Sequence, residues 1–198
     1  MKKFKMTALA IITSISLFSF NSSTEAASVS HTVNSGESFW KIGNQYGVSV
    51  QALKTVNNQT SNLLYVGQKL VIPNSDISAA DKDLMARLVS AEAKGESYAG
   101  KVAVATVILN RLSHPDFPNT IKGVIYQIDA GYYAFTPVQN GAINQAADVE
   151  SKKAVNEALA YRGQGNGSIY FYNPKTASSK WIFSREVTVT IGNHVFAK

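Results

Sequence analysis

The chain has no cysteine among its 198 residues. That excludes a disulfide framework, a thiolate zinc site and a thiol nucleophile. Histidine is scarce, with only His31, His114 and His194, and no HExxH word or paired His exists. A zinc amidase or peptidase therefore lacks its ligand set, and no metal or cofactor is expected. Charged residues are few, at 16%, while hydrophobic residues make up 45% with nine Tyr, nine Phe and two Trp. That balance argues for packed domains rather than disorder. The net charge of +6 suits an anionic surface or polymer. It falls short of the dense basic patch of a nucleic-acid binder, so no nucleic-acid partner is expected.

A long apolar run is also missing. The charge-free stretch from Met6 to Phe20 is shorter than the roughly 20 residues a spanning helix needs. Lys2, Lys3 and Lys5 precede it, and the small residues of Thr24 to Ala27 follow. This is the order of a secretory signal peptide over residues 1–27, cleaved after Ala26 or Ala27. It predicts a secreted bacterial protein with no membrane span after cleavage. The leader carries three Lys and one Glu, so the mature charge falls from +6 to +4.

Two units follow, and the fold class expected for the whole is α+β. Residues 30–73 read as a small βααβ module. His31-Thr32-Val33 is a strand signal, and Asn34 to Ser38 is turn and helix-cap chemistry. Phe39, Ile42 and Tyr46 recur at helical spacing, and Gly47 ends that helix. Val50, Leu53 and Val56 mark a second helix opened by Ser49, with Asn57 and Asn58 as its stop, and Leu70 to Ile72 closes as a strand. Residues 74–80 are polar and short, and read as a linker.

Residues 81–198 are long enough for a core of their own. Helices are expected from about Ala80 to Lys94, Ser97 to Arg111, Thr120 to Tyr126 and Asp148 to Tyr161. The second is apolar nearly all round and should be buried. Strands are expected at Ser168 to Tyr172, Val187 to Ile191 and His194 to Phe196. Glu92 ends the first helix between Ala91 and Ala93. A carboxyl among small apolar neighbours is desolvated, holds its proton towards neutral pH and can serve as a general acid. The alternative from spacing alone is a solvated surface Glu. Glu96 lies four residues on, but Gly95 interrupts the helix between them.

The first unit resembles the LysM module. The matching words are His31-Thr-Val, Gly36-Glu-Ser-Phe-Trp-Lys-Ile, Tyr46-Gly-Val-Ser and Leu64-Tyr-Val-Gly-Gln-Lys-Leu-Val-Ile-Pro73. The resemblance implies binding of N-acetylglucosamine-containing glycans. It places the ligand along Gly36, Ser38 and Phe39 and along Asn62, Leu63, Leu64, Tyr65 and Gly67. The second unit resembles the spore cortex-lytic cell wall hydrolases. It does so through Arg87-Leu-Val-Ser-Ala-Glu-Ala-Lys-Gly-Glu-Ser-Tyr98, Gly100 to Arg111, Phe117 to Gln127, Tyr172-Asn-Pro174, Ser179-Lys-Trp181 and Ile191 to Phe196. This resemblance implies a lysozyme-like transglycosylase fold that cuts peptidoglycan glycan strands, with Glu92 as the acid. Spore cortex, during germination or sporulation, or vegetative wall would be the substrate.

Tyr126, Gln127, Phe135, Tyr172, Asn173 and Trp181 offer the flat faces and hydrogen-bonding groups of a saccharide groove. Asn110 and Arg111 read as slightly more structural than catalytic, and His194 as a hydrogen-bonded structural histidine. Residues 128–134 depart from the shorter connection this family carries, which leaves Asp129, Tyr132 and Tyr133 without a role. Two alternatives stand beside lytic transglycosylation: a hydrolytic muramidase with Glu96 or Asp129 as second carboxylate, and an inactive wall-binding protein. The Ser38-to-Lys41 SxxK word falls inside the module's first helix and lacks companion words.

Overall fold

The computed structural model describes residues 29–198; the expected leader, residues 1–27, lies outside them. Among the described residues no helix is long and apolar enough to cross a membrane.

The first unit pairs β1 (Val29–Thr32) antiparallel with β2 (Lys69–Ile72), in the register Val29 to Ile72 and Thr32 to Lys69. Between them lie α1 (Phe39–Tyr46) and α2 (Val50–Val56). Ser38 accepts from the Lys41 N–H and Ser49 from that of Ala52, so each helix opens on a satisfied cap. Gly47 closes α1 at φ 61°, a left-handed conformation that a Cβ would disfavour. Asn57 fastens the end of α2 to β2: its side chain donates to the carbonyls of Leu53 and Val71 and accepts from the Val71 N–H. Val33, Phe39, Ile42, Val48, Leu53, Leu70 and Ile72 form the module's core. His31 is buried between the Tyr46 hydroxyl and Glu37, at 3.1 and 2.8 Å.

The second unit is built on α3 (Ala79–Glu92), α4 (Tyr98–Leu112) and α7 (Val149–Ala160). Ser78, Ser97 and Asp148 cap their N-termini. Val104, Ala105, Val107 and Ile108 of α4 are fully buried, as its all-round apolar pattern required. Lys101 is the exception. Its ammonium leaves α4 to meet Asp148 and Glu150 at the start of α7, at 3.3 and 2.9 Å. A short α5 (Ile121–Ile125) precedes the hairpin of β3 (Ile128–Asp129) and β4 (Tyr132–Tyr133), and one turn, α6 (Thr136–Gln139), follows. Neither this hairpin nor α6 is expected from the sequence, since two-residue strands and a single helical turn carry no periodicity. The chain ends in an antiparallel sheet of β5 (Tyr170–Tyr172), β6 (Val187–Ile191) and β7 (His194–Ala197), with β7 central.

The two units touch. Helix α1 packs against α7, with the Trp40 and Tyr161 rings 6.0 Å apart. The Lys82 ammonium donates to the Gly47 carbonyl at 2.9 Å, and the Ser75 hydroxyl donates to the same oxygen at 3.3 Å. Arg162 pairs with Asp76, so both ends of the connecting segment are held.

Candidate functional site

Glu92 is the last residue of α3. The helix ends there because Ala93 adopts non-helical angles and Gly95 follows at φ 83°. Burial pushes the Glu92 carboxyl up from 4.5 to about 7; the Thr136 backbone N–H and the Arg111 guanidinium pull the other way and lose. The carboxyl also sits at the negative end of the α3 dipole, which disfavours its anion further. Near neutral pH the group is therefore divided between its acid and its carboxylate.

Arg111 sits in the last turn of α4 and is 7% exposed. Its Nε donates to the Ile169 carbonyl at 2.7 Å. Its guanidinium carbon lies 5.0 Å from the Phe117 ring, 4.9 Å from Phe135 and 5.7 Å from Tyr170. Three aromatic faces thus hold a cation beside the acid. Desolvation lowers the Arg111 pKa to about 10, opposed by Tyr170 and Glu92.

Glu92 and Arg111 both line an inner cleft of about 280 Å³, together with Phe135, Thr136, Tyr172, Asn173 and His194. Glu92 is the one carboxylate among its lining residues. The cleft continues into an outer chamber of about 780 Å³, because Arg111, Ala134, Phe171, Tyr172 and Thr176 line both. Gln127, Asp129, Tyr132, Tyr133 and Trp181 belong to the outer chamber. Among the described residues no group of three or more His, Asp or Glu gathers in a way that could hold a metal ion.

The expected groove residues divide accordingly. Phe135, Tyr172 and Asn173 lie around Glu92, and Gln127 and Trp181 lie further out. Phe135 is 3% exposed and packed against Phe171, with centroids 6.3 Å apart, so it acts as wall rather than as a free stacking face. Tyr126 is exposed at the end of α5 and lines neither cavity, so the structure does not bring it to the cleft. Trp181 is half exposed, not core; Tyr170 meets its ring edge-on at 5.1 Å. Glu96 is committed to the β6–β7 turn, where Asn193 donates its backbone N–H at 3.1 Å and its side-chain amide at 3.0 Å. The Asn193 side-chain hydrogen bond first, then its backbone bond, hold the Glu96 carboxyl below its usual range. Asp129 lines the outer chamber and not the inner cleft, with Asp116 as a second carboxylate of that chamber.

His194 is buried, but its Nδ1 has no hydrogen-bond partner, which corrects the expectation of a hydrogen-bonded histidine. Asn110 is structural, donating to the Ser168 carbonyl at 2.9 Å, whereas Arg111 faces the site. Sequence reasoning undervalued Arg111 and missed Thr136, Phe171 and Thr176. Only Arg111 left a signal, as a charge in the last turn of a helix whose middle is apolar.

In the first unit, the loop after β1 and the loop before β2 lie side by side. Gly67 donates to the Val33 carbonyl at 2.8 Å and Val33 donates to that of Gln68 at 2.9 Å. Gly36 and Gly67 have positive φ and open space where a Cβ would stand. Leu63 and Tyr65 are exposed, and Leu64 packs on the core. Asn62 accepts from the Lys54 ammonium at 3.0 Å. Two expected glycan contacts are occupied otherwise: Phe39 is buried in the core, and the Ser38 hydroxyl caps α1.

Comparison with known proteins agrees with both units. The LysM domain model matches residues 31–73, and the Cell Wall Hydrolase model matches residues 95–197, starting just after Glu92. A spore cortex-lytic enzyme of Halalkalibacterium halodurans is 46% identical over 116 residues, 59% of this chain and 34% of that protein. A spore cortex-lytic enzyme of Bacillus cereus is 43% identical over 127 residues, 64% of this chain and 47% of that protein. The chain thus spans less than half the length of these curated relatives. The catalytic domain of the germination-specific lytic transglycosylase SleB from Bacillus anthracis superposes with a TM-score of 0.57 at 43% identity. That match covers 64% of this chain and 100% of that domain.

Proposed function

We propose that this chain, which belongs to the cell wall hydrolase family, cuts the glycan strands of peptidoglycan by lytic transglycosylation, with Glu92 as its acid and then its base. The observation that carries the reading is the inner cleft, where a single carboxyl stands, raised by burial to about 7. A protonated Glu92 donates its proton to the glycosidic oxygen between N-acetylmuramic acid and N-acetylglucosamine. The C1–O bond breaks and the leaving sugar departs with that proton on its hydroxyl. The Glu92 carboxylate formed in the cleft then takes the proton of the muramic C6 hydroxyl as that oxygen closes on C1. The product is a 1,6-anhydro ring, and Glu92 ends protonated, as it began. No water is activated, so the second carboxylate of a two-acid hydrolysis has no task here. A group whose proton affinity matches the working pH suits both halves of this cycle. Arg111 stabilises the carboxylate between the two proton transfers, in a site where burial strengthens its pull.

In this reading residues 81–198 are the enzyme and residues 30–73 the wall grip. Residues 74–80 join them, and residues 1–27 are the export leader. The protein then works outside the bacterial membrane, on cortex or wall. The exposed Leu63 and Tyr65 beside the open turn at Gly36 support a sugar-binding edge on the module. The test is digestion of purified cortex and vegetative peptidoglycan followed by mass spectrometry of the fragments. Anhydro-muramic ends that disappear with Glu92→Gln are expected. Reducing muramic ends would reject transglycosylation, and full activity of Glu92→Gln would reject the acid.

A further inference from the structure

We propose that the β3–β4 hairpin and Trp181 form the two sides of a distal carbohydrate subsite, which grips the glycan strand beyond the bond cut at Glu92. The inference rests on the glycan-cleaving reading above and adds a binding site to it.

The hairpin has no packing reason to exist. It pairs only Ile128 with Tyr133 and Asp129 with Tyr132. Ile128, Tyr132 and Tyr133 are 57%, 77% and 43% exposed, so it contributes little to the core. Isolated two-residue strands are marginal in water. This one is tied at its base by the Ala134 N–H to the Gln127 carbonyl, at 2.9 Å, and turned through Ala130 and Gly131 at φ 48° and 85°. Positive φ at both turn positions is what a two-residue hairpin requires, and Ala130 adopts it despite its Cβ. The hairpin thus holds two tyrosines against a cavity instead of burying them.

The opposite side is equally prepared. Trp181 is half exposed, with Tyr170 edge-on behind it at 5.1 Å and the Arg185 guanidinium 4.7 Å from its ring. A ring fixed in this way loses little freedom when a ligand stacks on it. Between the sides lies the chamber of about 780 Å³, with Gln127, Asp129 and Ser178 as hydrogen-bonding groups. Sugar rings need this combination of flat apolar faces for their C–H surfaces and polar groups for their hydroxyls. The inner cleft, at about 280 Å³, lies at the lower edge of ligand-sized pockets and suits a short stretch of the strand. The next sugars in line enter the chamber, because Arg111, Tyr172 and Thr176 line both spaces.

The experiment uses the full chain with Tyr132→Ala and Tyr133→Ala combined, both exposed positions whose loss leaves the core intact. On long glycan strands the KM is expected to rise about five- to thirty-fold, the loss typical of removing a stacking anchor, with kcat little changed. On a four-sugar peptidoglycan fragment kcat/KM is expected to stay at its parent value. Equal losses on both substrates, or no loss on either, would overturn the subsite. In a Glu92→Gln background, hexameric N-acetylglucosamine should change the emission of Trp181, a signal absent in Trp181→Phe and weakened by the tyrosine substitutions. No Trp181-dependent change would also overturn it. Cleavage by Glu92→Gln would overturn the acid assignment instead, and the Trp181 titration then decides the subsite independently.

Discussion

Glu92→Gln should stabilise the protein while it abolishes cleavage, and the gain should grow with pH. In the unfolded chain the carboxyl titrates near 4.5; in the folded protein burial holds its proton up to about 7. Below about pH 4 both states are protonated and the group favours neither. As pH rises from about 4.5 to 7 the unfolded chain releases its proton while the folded one retains it. The unfolded state is favoured progressively, and the stability present at low pH is lost once pH passes about 7. A rise of this size corresponds to about 3 kcal/mol, a ceiling because water entering the cleft screens part of it. Gln keeps the shape and carries no charge, so it escapes the loss. The expected difference in unfolding free energy is near zero at about pH 4 and approaches about 3 kcal/mol at pH 8 to 9. In a protein of this size that is a melting-temperature gain on the order of 10 °C. Thermal or urea unfolding followed by circular dichroism across this range measures it. Parallel curves for the two proteins at every pH would refute the desolvation argument. A Gln protein less stable at high pH would show that Thr136 and Arg111 outweigh burial.

Three further outcomes follow from the same geometry. In the proposed cycle Glu92 donates only when protonated, so cleavage should fall as pH rises through about 7. Arg111→Met should move that alkaline limb upward, and Arg111→Lys should leave it near the parent position; a pH–rate profile on peptidoglycan reads both. Gly192→Ala should cost about 1–2 kcal/mol in urea unfolding, since Gly192 has φ 58° and a Cβ there would stand 2.2 Å from the Glu96 Oε2. Adding Glu96→Ala should recover the part of that loss caused by the clash. Gly47→Ala should loosen the module from α7, because φ is 61° and a Cβ would lie 2.8 Å from the Lys82 Nζ and 2.9 Å from the Asn156 Oδ1. Faster proteolytic nicking within residues 74–78, with the catalytic cleft still active, is the expected sign.

What the sequence made legible was local. Ser38, Ser49, Ser78, Ser97 and Asp148 each precede a helix and each caps it, because a side-chain oxygen answers amides one turn on. The apolar face of α4 declared its burial, and Glu92 between two alanines declared its desolvation. The hairpin at 128–133 was not legible: Tyr132 and Tyr133 have strand propensity, but a pair of two-residue strands presents no periodicity to read. Phe39 carried two readings. Its spacing to Ile42 marks a buried stripe and the structure buries it there, which leaves little of it open for the glycan contact that the family resemblance implies. The contact of Trp40 with Tyr161 was hidden as well, since a residue opposite α1's core stripe reads as solvent-facing until a second surface covers it.

The pairing of Glu92 with Arg111 belongs to neither category, and it explains why the arginine read as structural. A connection as short as residues 93–97 ordinarily joins antiparallel helices, whose C-terminal ends point apart. On that assumption Glu92, ending α3, and Arg111, in the last turn of α4, sit at opposite poles of the pair. The cleft overrides that assumption, because both residues line it. Glu92 closes α3 and Arg111 lies in the last turn of α4, so the negative end of each helix disfavours the carboxylate and favours the cation. The arrangement keeps the acid protonated by its surroundings while a guanidinium stands ready for the charge the acid acquires when it gives its proton away. The aromatic rings of Phe117, Phe135 and Tyr170 hold that guanidinium where it cannot swing out to water. A lysine there would carry the charge but not the planar contact with three rings, so Arg111→Lys should preserve the pH profile and lower stability. If instead Arg111→Lys shifts the alkaline limb as far as Arg111→Met does, the guanidinium acts through the shape it gives the cleft rather than through its charge.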